Sequence, residues 1–286
     1  MKGEHSIRML CELLGVSPSG YYGWRKQRPT KRQREDEVLA KKIAAAHQAS
    51  RRTYGVPRIL RDLHDEGVRT SKRRCGRLMR EQGLRGKKKN RRRPRTTDSR
   101  HAEPVAANVI AERPAPTGPN QAWRTDITYL KTVQGWLFLA AILDAWSRRV
   151  VGWACAPTLH ADLAIAALRD AIQRRQPPKG LVHHSDRGCQ YVDADYVALL
   201  DAAGLVRSMS RSGNCYDNAA MESFWSTLKS DTDLDITVLA TRREVELAVF
   251  DYIETFYNPR RRHSSLGYLS PVAFEKQQKL NDIKAA

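Results

Sequence analysis

Apolar residues recur at helical spacing through the first third of the chain and at strand spacing further on. Residues 7–14 (IRMLCELL) make a short helical pattern that Gly15-Val16 breaks. Ser17-Pro18 then reads as the N-cap and first residue of a second helix running to about Lys26. Residues 29–34 are polar and basic and read as a linker. Residues 35–48 open with acidic residues and carry an apolar stripe at Val38, Leu39, Ile43 and Ala46, which predicts a longer helix. Pro57 opens another, RILRDLHDE, stopped by Gly67, and Ser71 caps KRRCGRLMREQ, stopped by Gly83. The outcome is two helix-turn-helix patterns, the second with Lys72, Arg73, Arg77 and Arg80 on a helix able to lie in a DNA major groove. A solvated helix face is the plainer alternative for those charges.

From Trp123 the period changes to that of strands: WRTDITYL, a break at Gln134-Gly135, WLFLAAILDAW, then RRVVGWACA. A helix over 161–173 follows, then the apolar strand LVHHSD, a helix near 193–203, a brief strand at 205–209, a polar Gly/Asn loop, and a helix from about Asn218. Three strands followed by helix, strand, helix, strand, helix is an α/β order.

Charge sharpens the division. The 286 residues carry a formal net charge of +19, but residues 1–112 hold 29 Lys/Arg against 12 Asp/Glu, a net +17, and residues 113–286 hold 21 against 19, a net +2. A charge confined to one end points to a DNA-binding front end on a nearly neutral body. The boundaries read as a helix-turn-helix segment at 1–30, a helical DNA-binding domain at 31–84, a basic linker at 85–112 and a catalytic domain with a basic C-terminal tail at 113–286. Cys11, Cys75, Cys155, Cys189 and Cys215 form no C-x-x-C pair, which supports neither a zinc ribbon nor a disulfide framework and fits a reduced cytoplasm. No apolar run spans a bilayer, and no signal-peptide core opens the chain, so no membrane partner is expected.

Asp126 stands mid-strand among β-prone neighbours, where a carboxylate is costly unless paired or bound to a cation. Asp186 lies just past LVHHS, where α/β folds place functional groups, and Glu222 falls on the helix after the polar loop. Brought together, the three supply hard oxygen ligands for two Mg²⁺ ions, with Mn²⁺ as a substitute, as phosphoryl transfer requires. Zinc at His183 and His184 lacks completing ligands; one of the pair is expected to orient the carboxylate or the attacking water. Trp123, Trp136, Trp146, Trp153 and Trp225 read mostly as core. Asn214, Asp217 and Asn218 read as the turn that caps the Glu222 helix.

Asp126 and Asp186 are separated by 59 residues, Asp186 and Glu222 by 35. With WRTDITYL, HSDRGCQY, SMSRSGNCYDNAAMESFWSTLK and FYNPRRRHSSLGYLSP, the chain resembles the DDE transposases and retroviral integrases, and more narrowly the second-reading-frame product of the insertion sequence three family. LGVSPSGYY and TYGVPRILRDL extend the resemblance to the front end. It implies an RNase H-like core, a mixed five-stranded sheet with flanking helices, preceded by an all-α helix-turn-helix region. Asp126, Asp186 and Glu222 take the catalytic, metal-binding places. The family pattern also has a basic residue at Lys229, two helical turns beyond Glu222 and on its face, where it would meet DNA phosphate. Arg260, Arg261 and Arg262 are expected to contact DNA ends, against the alternative of a solvated turn. The resemblance further implies cleavage at terminal inverted repeats, joining through a circular intermediate, and cooperation with an upstream-frame product. Two ends to be joined and one triad per chain predict a homo-oligomer on DNA. The rivals are a DNA-binding regulator with an inactive body and a nuclease of the same fold that joins nothing.

Overall fold

The computed structural model describes residues 5–26, 29–87, 106–211, 218–234 and 241–285. Most of the expected basic linker and the Gly/Asn loop with Asn214, Cys215 and Asp217 lie outside the described residues. The chain divides into two compact units, Met1–Gly86 and Lys87–Ala286.

The first unit is helical: α1 (Ile7–Leu13), α2 (Pro18–Arg25), α3 (Lys31–Ala49), α4 (Val56–Asp65) and α5 (Lys72–Glu81). Ser6, Ser17, Thr30 and Ser71 cap their helices through side-chain oxygens. Residues 31–34 are a first helical turn rather than linker, because Thr30 and Gln33 exchange reciprocal bonds in a capping box. Helices α3, α4 and α5 close on one another around Ile43, Ile59, Leu63 and Cys75, all essentially without solvent exposure. Gly67 ends α4 at φ +76°, a left-handed turn natural to glycine.

The second unit begins with α6 (Val109–Glu112) and the strands β1 (Ala122–Thr132), β2 (Gly135–Asp144) and β3 (Val150–Ala156). It continues with α7 (Ala161–Arg175), β4 (Val182–Ser185), α8 (Ala194–Ala202), β5 (Val206–Met209) and α9 (Ala219–Thr232). The strands form one mixed sheet in the order β3-β2-β1-β4-β5, antiparallel across β3-β2-β1 and parallel across β1-β4-β5. Trp123, Ile142, Leu168 and Tyr196 lie in the core that joins the sheet to α7 and α8. On β3, a Cβ at Gly152 would sit 2.5 Å from the Ala167 carbonyl of α7, so only glycine allows that approach.

The C-terminal portion is not a tail. It forms α10 (Arg242–Phe250), a π-helical continuation through Asp251–Tyr257, and α11 (Pro271–Ala285). The Asn258 amide pairs with both backbone groups of Val150, accepting from N–H and donating to C=O at 2.9 Å each. On α11, Glu275 accepts from Arg149 at 2.7 Å, Arg175 at 3.0 Å and Ser147 at 2.8 Å. These bonds hold the C-terminal helices to the start of β3, to the turn before it and to the end of α7.

Candidate active site

The parallel pairing of β1 with β4 sets the geometry. Its last matched pair is Arg124 with His184, so Asp126 lies two residues further along β1, and Asp186 lies two residues beyond His184, just past the end of β4. Asp126 Oδ1 accepts the Ile127 N–H at 2.9 Å, and Oδ2 accepts the Trp225 indole N–H, also at 2.9 Å. Asp186 Oδ1 accepts the Gly188 N–H at 3.0 Å, which fixes that carboxylate on its turn. Glu222 sits in the first turn of α9, which packs on β1. Asn218, at the N-cap, makes no side-chain cap bond; its amide reaches instead to the Thr125 carbonyl of β1 at 3.4 Å, tying the start of α9 to the sheet.

Asp126 is half-buried, and its carboxyl is pushed up to about 7. Loss of water is the largest cause, followed by repulsion from Asp186; the Trp225 and Ile127 donors oppose it, and Glu222 adds to it. The three carboxylates are therefore electrostatic neighbours. Among the described residues no three His, Cys, Asp or Glu side chains form a ready-made metal cluster. The donor set still fits a hard divalent cation, because all three are oxygen ligands and their repulsion is what such a cation relieves.

A pH effect on stability follows. The Asp126 carboxyl titrates near its ordinary 3.8 when unfolded and near 7 when folded. Above pH 7 the metal-free fold holds a charge it disfavours. As pH falls from about 7 toward 3.8 the folded carboxyl protonates first and that penalty is lifted. Asp126→Asn should thus stabilise the metal-free protein at pH 8 by on the order of 2 kcal/mol, discounted for partial exposure, and leave it unchanged at pH 4. Thermal melts of both proteins at the two pH values measure this, and equal pH dependence would refute it.

The histidines point inward. His183 Nε2 meets the Tyr196 hydroxyl at 2.6 Å, and burial pushes the ring down to about 3. His184 bridges β5 and the residue beyond it, through Ser208 Oγ at 2.9 Å and Ser210 Oγ at 3.0 Å. Both are buried, His183 against Tyr196 of α8 and His184 between Ser208 and Ser210.

The cationic candidates divide. Lys72, Arg73, Arg80 and Arg260 are exposed, and Lys229 and Arg262 are half-buried. Arg77 is drawn back into the helical unit, bonded to Asp36 on α3 and to Glu81. Arg261 is 5% exposed, and its Nε donates to Asp231 at 2.6 Å. Arg261 is therefore removed from the expected DNA contacts, since a buried guanidinium with a carboxylate partner presents nothing to phosphate.

Two models described as integrase core domain match residues 116–215 and 203–271, and one described as HTH-like domain matches residues 33–93. The matched segments are an integrase core preceded by an HTH-like domain. The chain is 44% identical over 94% of its length to the uncharacterized 31 kDa protein of insertion element IS600 from Shigella sonnei, covering 98% of that protein. It is 40% identical over 96% of its length to transposase InsF for insertion sequence IS3A from Escherichia coli K12, covering 96% of it. The HTLV-2 integrase catalytic core domain is 17% identical, with 56% of this chain and 98% of that one covered at a TM-score of 0.43, a superposition too loose to add to the assignment. This chain belongs to the IS3 family of insertion-sequence transposases. It binds DNA and catalyses transposition as a DDE-type polynucleotidyl transferase. Among the described residues no helix is long and apolar enough to cross a membrane.

Proposed function

We propose that Asp126, Asp186 and Glu222 are the catalytic carboxylates and together hold two divalent ions, Mg²⁺ or Mn²⁺. What supports this is the placement of Asp126 on β1, of Asp186 just past the end of the neighbouring β4, and of Glu222 in the first turn of α9, which packs on β1; the raised Asp126 carboxyl agrees with it. Bound there, the cations supply activation of the attacking oxygen and charge neutralisation at the leaving one. The chain's own part is orientation. β1 and the turn just past β4 present two carboxylates, and α9 brings the third. Lys229, two turns along α9, steers the scissile strand by its phosphate. In the reaction, water attacks the phosphorus at each 3′ end of the element and releases a 3′-OH, which then attacks the phosphorus of a second phosphodiester at the same carboxylates, forming a new ester bond as the attacked strand's 3′-oxygen leaves as a hydroxyl. A nuclease reading explains the triad, but the DNA-binding front end fits it less well, because hydrolysis alone needs no paired ends.

The division into 1–30, 31–84, 85–112 and 113–286 assigns recognition of the terminal repeats to the first two segments and phosphate tracking to the third. Lys72, Arg73 and Arg80 face the DNA, and Arg260 and Arg262 touch the ends near the triad. A net +17 in residues 1–112 predicts steep salt dependence. In the whole chain, replacing Lys72, Arg73 and Arg80 together by Ala should reduce the slope of log affinity against log salt by about 0.9 for each phosphate no longer neutralised. Affinity titrations at several salt concentrations measure it; an unchanged slope would place the phosphate-binding cations elsewhere.

Joining two ends with one triad per chain calls for at least a dimer on DNA, formed in the cytoplasm and optionally with the upstream-frame product. DNA lifts the self-repulsion of this +19 chain. Mixing triad-dead with DNA-binding-dead chains should restore activity. Failure to complement at every ratio would count against paired chains.

A further inference from the structure

Helix α9 supplies more than Glu222. Trp225 follows three residues later, on the same helical face, and is buried at 7% exposure. Its indole N–H reaches Asp126 Oδ2 at 2.9 Å, between positions 99 residues apart. The other oxygen takes the Ile127 N–H at 2.9 Å. Both oxygens of the first carboxylate are thus held, one by backbone that any β1 residue would offer and one by a side-chain nitrogen particular to position 225. Packing alone does not require that nitrogen, since the ring contact with Phe224, at 4.8 Å between centroids, would be met by a phenyl ring. A buried indole N–H does require an acceptor. The one it has is a carboxylate that also faces Asp186 and Glu222.

We propose that Trp225 is a positioning residue of the active site: by fixing the Asp126 carboxylate plane it locks the rotation of α9 against β1, so that Glu222 and Asp126 face the same cation site. Each carboxylate oxygen retains a lone pair after accepting one hydrogen bond, so the tether does not block ligation. Without it, repulsion from the two neighbouring carboxylates turns Asp126 aside, and the ordering must be done when the cation binds. A donor beyond the ligands themselves typically matters to metal affinity by about 10–100-fold. The inference rests on reading Asp126 as a metal ligand.

The test uses the whole chain labelled with ¹⁵N at the indole nitrogens of its six tryptophans. Trp225→Phe, which keeps an aromatic ring but gives up some volume along with the donor, identifies the Trp225 resonance. Asp126→Asn should move that resonance more than any other. Trp225→Phe should weaken Mn²⁺ binding, followed calorimetrically, by about tenfold, and lower kcat while leaving KM for DNA unchanged. If Asp126→Asn binds Mn²⁺ as tightly as wild type, the metal-site reading falls and takes the positioning role with it. If Asp126→Asn loses Mn²⁺ while Trp225→Phe keeps it, the positioning role alone is overturned. Should Trp225→Phe fail to fold, Phe replacement of the other tryptophans one at a time identifies the resonance by elimination. Its response to Asp126→Asn then decides: no movement overturns the proposal.

Discussion

Asp126→Asn, Asp186→Asn and Glu222→Gln each reduce strand cleavage and strand transfer by about a thousandfold or more, with DNA binding nearly intact. A thousandfold corresponds to roughly 4 kcal/mol of transition-state stabilisation, a modest figure for a carboxylate that holds a catalytic cation. The replacements are near-isosteric and keep the fold. Asp126→Asn is expected to gain stability above pH 7, so its inactivity cannot be ascribed to unfolding. The effect on binding is small because recognition is assigned to exposed cations elsewhere, Lys72, Arg73 and Arg80 among them. Cleavage assays on a labelled terminal repeat, with binding measured in parallel, read both quantities. Near wild-type cleavage in any one variant removes that residue from the site.

Arg261→Ala destabilises the catalytic unit by about 3–5 kcal/mol. The side chains of Arg261 and Asp231 are 6% and 5% exposed, with Nε to Oδ2 at 2.6 Å, and the Tyr252 hydroxyl donates to the same oxygen at 2.9 Å. Removing the guanidinium leaves a buried carboxylate with a phenol and no countercharge. The pair joins the end of α9 to the segment after the π-helical stretch, so a surviving Arg261→Ala protein should also lose activity through a displaced Glu222. Arg260→Ala, at the exposed neighbouring position, should leave stability unchanged and lower affinity for DNA. Urea unfolding followed through the catalytic unit separates the two. A loss below about 1 kcal/mol in Arg261→Ala would mean the pair is solvated in solution.

The contrast between Arg260 and Arg261 shows how far sequence carries. The strands were legible because WRTDITYL and WLFLAAILDAW alternate or run apolar over strand lengths, and the helices because Ser17, Ser71, Gly67 and Gly83 mark their ends. The carboxylates stood out through context, a charge within a β-prone run and another just past an apolar strand. What escaped depends on distant partners. Arg261 reads as one of three consecutive surface arginines until Asp231, 30 residues earlier, accepts it in the interior. Trp225 reads as core, and it is, but its nitrogen answers to Asp126 across 99 residues. The histidine pair reads as functional beside Asp186, and what the sequence pattern does not show is that both faces of β4 are covered, so that two adjacent rings on opposite faces are both buried. The helices at 242–257 and 271–285 were hidden by YNPRRRH, whose basic run looks solvated although Tyr257 and Asn258 anchor it under β3.

On the proposed reading, one site of three carboxylates both cuts and joins DNA. Purified protein, a labelled duplex of the element's terminal repeat, an unlabelled target and Mg²⁺ test it most directly, with products resolved by length. A species longer than the input is expected, absent with chelator and absent for each of Asp126→Asn, Asp186→Asn and Glu222→Gln. Shortened products without joined ones would make the protein a nuclease under those conditions, and joined products from a triad variant would contradict the account outright.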